Sequence, residues 1–234
     1  MSPADEWAIS GDPQRLLALL GNQLDVTGAR IFAAGYFRHG HETDTQFPAA
    51  ALAWLDEYER LALQRAKEPA WEKLRQRTPR GQTYQVHVLA AYFRPESTAV
   101  NLPYTLPTLF QGRGLAAARK ATGPPPADVQ PGHEWHQRFQ AAYFAAIRPA
   151  AELLRCAFRN PHCDVPFEDR WRTETAAGLA RTMFDARDFS GMPILADALQ
   201  DAGCENDDVL NHCRADTAHA RGCWVVDWVL NQRQ

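Results

Sequence analysis

Apolar positions recur with a helical period along most of the chain. Between Pro48 and about Lys67, Ala51, Trp54, Leu55, Tyr58, Leu61 and Ala62 fall at i, i+3, i+4, i+7, i+10 and i+11, with Asp56, Glu57, Glu59 and Arg60 on the other side. That stripe lets a helix bury one face. A second stripe, Ala176, Leu179, Ala180, Met183 and Phe184, follows Thr173, a residue suited to cap it. Ser2-Pro3 and Asp12-Pro13 each pair a capping side chain with a proline fit for the first helical turn, and the second helix runs through Leu16, Leu17, Leu19 and Leu20 to Gly21. Arg30 to Arg38, with Ile31, Phe32, Tyr36 and Phe37 ahead of Gly40, fits a helix or a short strand, and Ala70 to Arg77 a short helix. Thr83 to Phe93 reads as a further helix, although Tyr84 to Val88 alternates like a strand.

Proline and glycine punctuate the middle. Pro95, Pro103, Pro107, Gly112 and Gly114 make 94–114 read as a long ordered loop, packed down through Tyr104, Leu106, Leu109 and Phe110. The run Pro124-Pro125-Pro126 with Pro131 makes 123–132 a stiff connector. It separates an N-terminal helical portion, 1–122, from a C-terminal one, 133–234, which can still pack as one domain. Beyond it, His133 to Arg159 predicts a helix kinked or broken at Pro149. Three short helices close the chain: Pro193 to Gly203, one starting at Asn206, and Gly222 to Asn231, the last apolar nearly all round. The expected fold is all-α, an irregular bundle of roughly eight to ten helices with a long Pro/Gly-rich central loop.

Composition adds limits. A chain of 234 residues can bury a substantial core without metals or disulfides. The N-terminus is acidic and no apolar run approaches about 18 residues, so neither a secretory signal nor a membrane span is expected and the default address is cytoplasmic. Five cysteines, an odd number, fit reduced thiols better than a disulfide framework. A net charge of −3 argues against nucleic acid as a partner, local clusters such as Arg75, Arg77 and Arg80 notwithstanding.

Candidate chemistry gathers near the C-terminus. Cys204, His212, Cys213, His219 and Cys223 are ligand types that zinc prefers, but no Cys-x-x-Cys pair supports them. The competing reading is three buried thiols serving as small hydrophobes, with His219 hydrogen-bonded at a helix start. Asp227 interrupts an apolar helix and needs a partner, for which Arg221, Arg214 and His219 are nearest in sequence. His133-Glu134-Trp135-His136 lacks the His-Glu-x-x-His spacing of zinc proteases and reads as a solvated first turn. Cys163 stands beside His162, yet adjacent residues seldom reach the geometry of a nucleophile and its base.

The strings Met192-Pro193-Ile194-Leu195-Ala196-Asp197-Ala198-Leu199-Gln200-Asp201-Ala202-Gly203-Cys204, Leu210-Asn211-His212-Cys213-Arg214 and His219-Ala220-Arg221-Gly222-Cys223-Trp224-Val225-Val226-Asp227 form a long motif. It resembles that of a large paralogous family of uncharacterised bacterial proteins, abundant in planctomycetes. Asp5-Glu6-Trp7, Arg30-Ile31-Phe32-Ala33 and Phe158-Arg159-Asn160-Pro161 have counterparts there, whereas about 66–132 is variable. The resemblance implies no activity, substrate or fold. It implies that His219, Arg221, Cys223, Trp224 and Asp227 belong to one recurring unit. Family members are cysteine-rich after the segment matching Arg30 to Ala33, where this chain has Ala34, Tyr36 and Phe37.

The sequence therefore points first to a non-catalytic helical module that binds another protein and carries no cofactor. A metal-binding protein or enzyme, with zinc at the C-terminal His/Cys/Asp cluster, is the alternative.

Overall fold

The computed structural model describes residues 1–43, 49–78, 102–126, 130, 132–164 and 166–232. The expected segment at 83–93, the start of the expected loop at 94–101, and Arg80 lie outside them. Among the described residues the chain is all-α: α1 (Pro3–Ile9), α2 (Pro13–Leu20), α3 (Val26–Thr43), α4 (Ala49–Leu63), α5 (Glu68–Gln76), α6 (Leu102–Thr122), α7 (Glu134–Ala157), α8 (Glu174–Ala186), α9 (Met192–Asp201), α10 (Asp207–Arg214) and α11 (Trp224–Val229). No helix among these residues is long and apolar enough to cross a membrane.

The anticipated caps form. Ser2 accepts from the backbone N–H of Asp5 while the Asp5 carboxylate accepts from Ser2, and Asp12, Thr173 and Asn206 cap α2, α8 and α10. The ambiguous 30–38 segment is helical, and α3 continues past Gly40 to Thr43. A lone glycine costs a helix only about 1 kcal/mol, which packing easily offsets. α7 likewise runs unbroken through Pro149.

The expected loop is corrected from Leu102 onward, where α6 extends to Thr122 with Pro107 inside it. Pro103 stands in the first turn, where a missing N–H costs little. Gly114 serves contact rather than flexibility. A Cβ there would lie 2.6 Å from Tyr143 Cε2 and 2.7 Å from Ile147 Cγ2, so glycine lets α6 and α7 approach closely on either side of the proline connector.

Two buried clusters result. The first joins α1 to α7 and is rich in aromatic rings: Trp54 and Tyr58 lie 5.5 Å apart, Tyr58 meets Trp71 edge-on at 5.1 Å, and Arg30 covers the Trp71 ring at 4.0 Å. The second packs α8 to α11 around Trp171, Leu195, Leu199, Val225 and Val226. Cys156, near the end of α7, belongs to this second cluster although its helix mostly serves the first.

Candidate metal centre

The C-terminal unit meets α7 through a tight turn. The Cys223 N–H donates to the Ala220 carbonyl at 3.0 Å, and Gly222 at the third position has φ +89°. A turn with positive φ at that position favours glycine. Space demands it as well, because a Cβ on Gly222 would lie 2.2 Å from Ile31 Cγ2. This turn presses 220–223 against α3 and α7 and folds Cys223 back toward His219.

Cys156, His212, His219 and Cys223 converge there, one ligand atom from each lying within 4.8 Å of all the others. His212 Nε2 is 3.3 Å from Cys223 Sγ. The Ala220 N–H donates to Cys156 Sγ at 3.4 Å. The imidazoles are held by neighbouring rings: His212 meets His219 edge-on at 4.9 Å and Trp224 at 5.2 Å, and Phe189 stacks on His219 at 6.4 Å. Both ring nitrogens of His219 are buried, and neither makes a hydrogen bond of ordinary geometry to a described residue. In the neutral ring one of them is a donor that needs an acceptor and the other an acceptor that needs a donor or a metal, so the arrangement is incomplete by itself.

The two thiols differ. Burial pushes both up, and in Cys156 the adjacent Cys223 adds to that rise. In Cys223 burial is outweighed by the hydrogen bond with Cys156 and by His212 and His219 close by, which hold it well below the usual thiol range. Thiolate is the form that ligates metals.

Of the sequence candidates, His212, His219 and Cys223 come together, whereas Cys204 and Cys213 stand outside the group as buried core thiols pushed up chiefly by burial. Cys156 is the member of the group that sequence reasoning missed. Trp224 supplies a ring against His212. Asp227 is 2% exposed on α11, but the arginines nearest in sequence are engaged elsewhere. Arg214 pairs with Asp197 at 2.9 Å, and Arg221 donates to the Phe184 and Asp185 carbonyls and pairs with Glu59 at 3.4 Å. Cys163 is half-buried, its thiol raised by burial and by Asp208, which is not the environment of an activated nucleophile. His133 caps α7, its Nδ1 accepting from the Trp135 N–H at 3.0 Å. Arg75 is bound to Glu68 and Glu72.

The cluster lies between two clefts. His219 lines one of about 500 Å³ together with Arg38, Glu59, Arg187 and Arg221, and His212 lines another of about 330 Å³ with Trp7, Arg155 and Asn160. No family model, curated protein or solved structure matches the chain.

Proposed function

We propose that the protein binds one zinc ion through Cys156, His212, His219 and Cys223, and that the ion fastens the C-terminal helical unit to α7. The observation that carries this reading is the convergence of two thiols and two imidazoles from three separate stretches of chain to within 4.8 Å. Zn–S and Zn–N lengths of roughly 2.3 and 2.0 Å place tetrahedral ligand atoms about 3.3–3.8 Å apart. The His212–Cys223 pair already has that separation at 3.3 Å, and the remainder needs side-chain adjustments of about 1 Å or less. A soft, tetrahedral set of two sulfurs and two nitrogens suits zinc over magnesium or calcium.

Four protein ligands complete the shell and leave no position for a substrate or activated water, so the role is structural and not catalytic. Such a lock agrees with a non-catalytic module whose outer surfaces, and not its metal, engage another protein.

Elemental analysis of the purified protein should find one zinc per chain. Chelation should lower the melting temperature by roughly 5–10 °C, the effect of a ligand held at about a hundred times its dissociation constant on a chain this size. Cys156→Ser and Cys223→Ser should lose the metal, whereas Cys204→Ala should retain it. Metal-free protein whose melting ignores the chelator would overturn the reading.

A further inference from the structure

We propose that the cleft of about 500 Å³ between α3, α4 and the C-terminal unit binds a small ligand by one anionic group, a carboxylate or a phosphate, seated on Arg38, Arg187 and Arg221. The proposal goes beyond the metal reading and needs no ion. Its starting point is Glu59. The helical pattern places this residue on the polar side of α4, yet its side chain is 4% exposed. Arg187 Nη2 approaches one carboxylate oxygen at 2.6 Å and Arg221 Nη1 the same oxygen at 3.4 Å, while Arg38 Nε lies 3.5 Å from the other.

Three guanidinium groups thus share one buried carboxylate. The second acid within reach, Asp56, pairs with Arg38 and Arg187 at 2.6 and 2.9 Å from the half-exposed edge of the site. Against Glu59 and Asp56 the three guanidinium groups leave one positive charge at the floor, on side chains mostly shielded from water, while Asp188 and Asp216 stand apart at the rim. Charge in that setting is weakly screened and costly to leave unanswered. Arg221, held by the Phe184 and Asp185 carbonyls, contributes charge, while the guanidinium groups of Arg38 and Arg187 supply the donors that match a carboxylate or a phosphate.

Arg187 carries a second indication. It ends α8 in the left-handed conformation, φ 55°, a position that glycine fills most readily. Here an arginine occupies it and sends its side chain into the cleft. Such backbone conformations persist only where the surrounding structure holds them, and they cluster at functional sites. Phe189, Met192 and Pro193 give one wall an apolar surface for the body of a ligand, and the volume falls in the range of about 300–1,000 Å³ typical of small-molecule sites. Asp188 and Asp216 at the exposed rim repel extended polyanions, which restricts the site to a compact anionic group.

Isothermal titration of the full chain with inorganic phosphate and, separately, with succinate tests this. Saturable one-to-one binding of either is expected, the better ligand indicating whether a phosphorylated or a carboxylate compound is the natural one. Arg187→Gln should weaken it about tenfold, the loss of a charge-assisted pair. Glu59→Gln should strengthen it, because the competing carboxylate is removed. Arg187→Lys keeps the charge without the fork and should fall between wild type and Arg187→Gln, which preserves a test if Glu59→Gln fails to fold. Heparin should bind no better than phosphate. Folded protein that binds neither phosphate nor succinate, affinity indifferent to Arg187→Gln, or preferential binding of heparin would overturn the proposal.

Discussion

The N-terminal and C-terminal clusters are built from different material. The first rests on helices of 18, 15, 21 and 24 residues, with shorter ones of 7, 8 and 9 packed against them, and buries Trp54, Tyr58, Trp71, Phe32 and Phe110. The second rests on helices of 13, 10, 8 and 6 residues, and beside Trp171 and Trp224 its core is largely alanine, valine and cysteine. Large side chains bury more apolar area per residue. Helices shorter than about 12–15 residues depend on their surroundings to persist. On the reading proposed above, a cross-linking ion would contribute most where Cys156, His212, His219 and Cys223 converge, and little in the aromatic half.

That contrast can be broken from either side. Leu55, fully buried in the first cluster, should cost about 2–5 kcal/mol when changed to alanine. The loss in denaturant midpoint should be the same with and without chelator. A Leu55→Ala penalty that grows on chelation would mean that the two clusters do not respond separately. Gly222→Ala strikes the joint between them. Its positive φ and the approach to Ile31 together predict a loss of about 2–4 kcal/mol, and metal retention should fall with it, because the turn sets Cys223 beside His219. A variant that keeps both stability and metal would show that the turn is not what builds the site. Gly178→Ala should have the smallest effect and the opposite sign. The position is exposed in α8 and an added Cβ meets nothing within 4 Å, so thermal unfolding should show a gain of about 1 kcal/mol.

Much of the fold was legible because local signals agreed with packing. Ala51, Trp54, Leu55, Tyr58, Leu61 and Ala62 are all buried as their spacing demands, and Ser2, Asp12, Thr173 and Asn206 all cap helices. Breakers misled where the tertiary structure uses them. Pro103 is harmless in a first turn, and Gly114 makes room for Tyr143, so α6 forms where a loop was expected. Periodicity sets Glu59 on the side opposite the apolar stripe, and cannot anticipate that Arg187 and Arg221, more than a hundred residues later, close over it.

The site was half legible for the same reason. His219 and Cys223, with three residues between them, carry a local ligand spacing, and His212 is one helix earlier. Cys156 lies more than fifty residues upstream on α7, and only the packing of the C-terminal unit brings it to the others. Cys204 and Cys213 share the composition of a metal site and lack its geometry. Chemical type was visible in the sequence, but convergence belongs to tertiary structure.

Anomalous scattering measured on either side of the zinc absorption edge, from crystals grown without added metal, tests the central claim most directly. The expected result is a single peak between Cys156, His212, His219 and Cys223, about 2.3 Å from each sulfur and about 2.0 Å from each nitrogen. A map with no peak there, or with the Cys156 and Cys223 sulfurs joined as a disulfide, would contradict it.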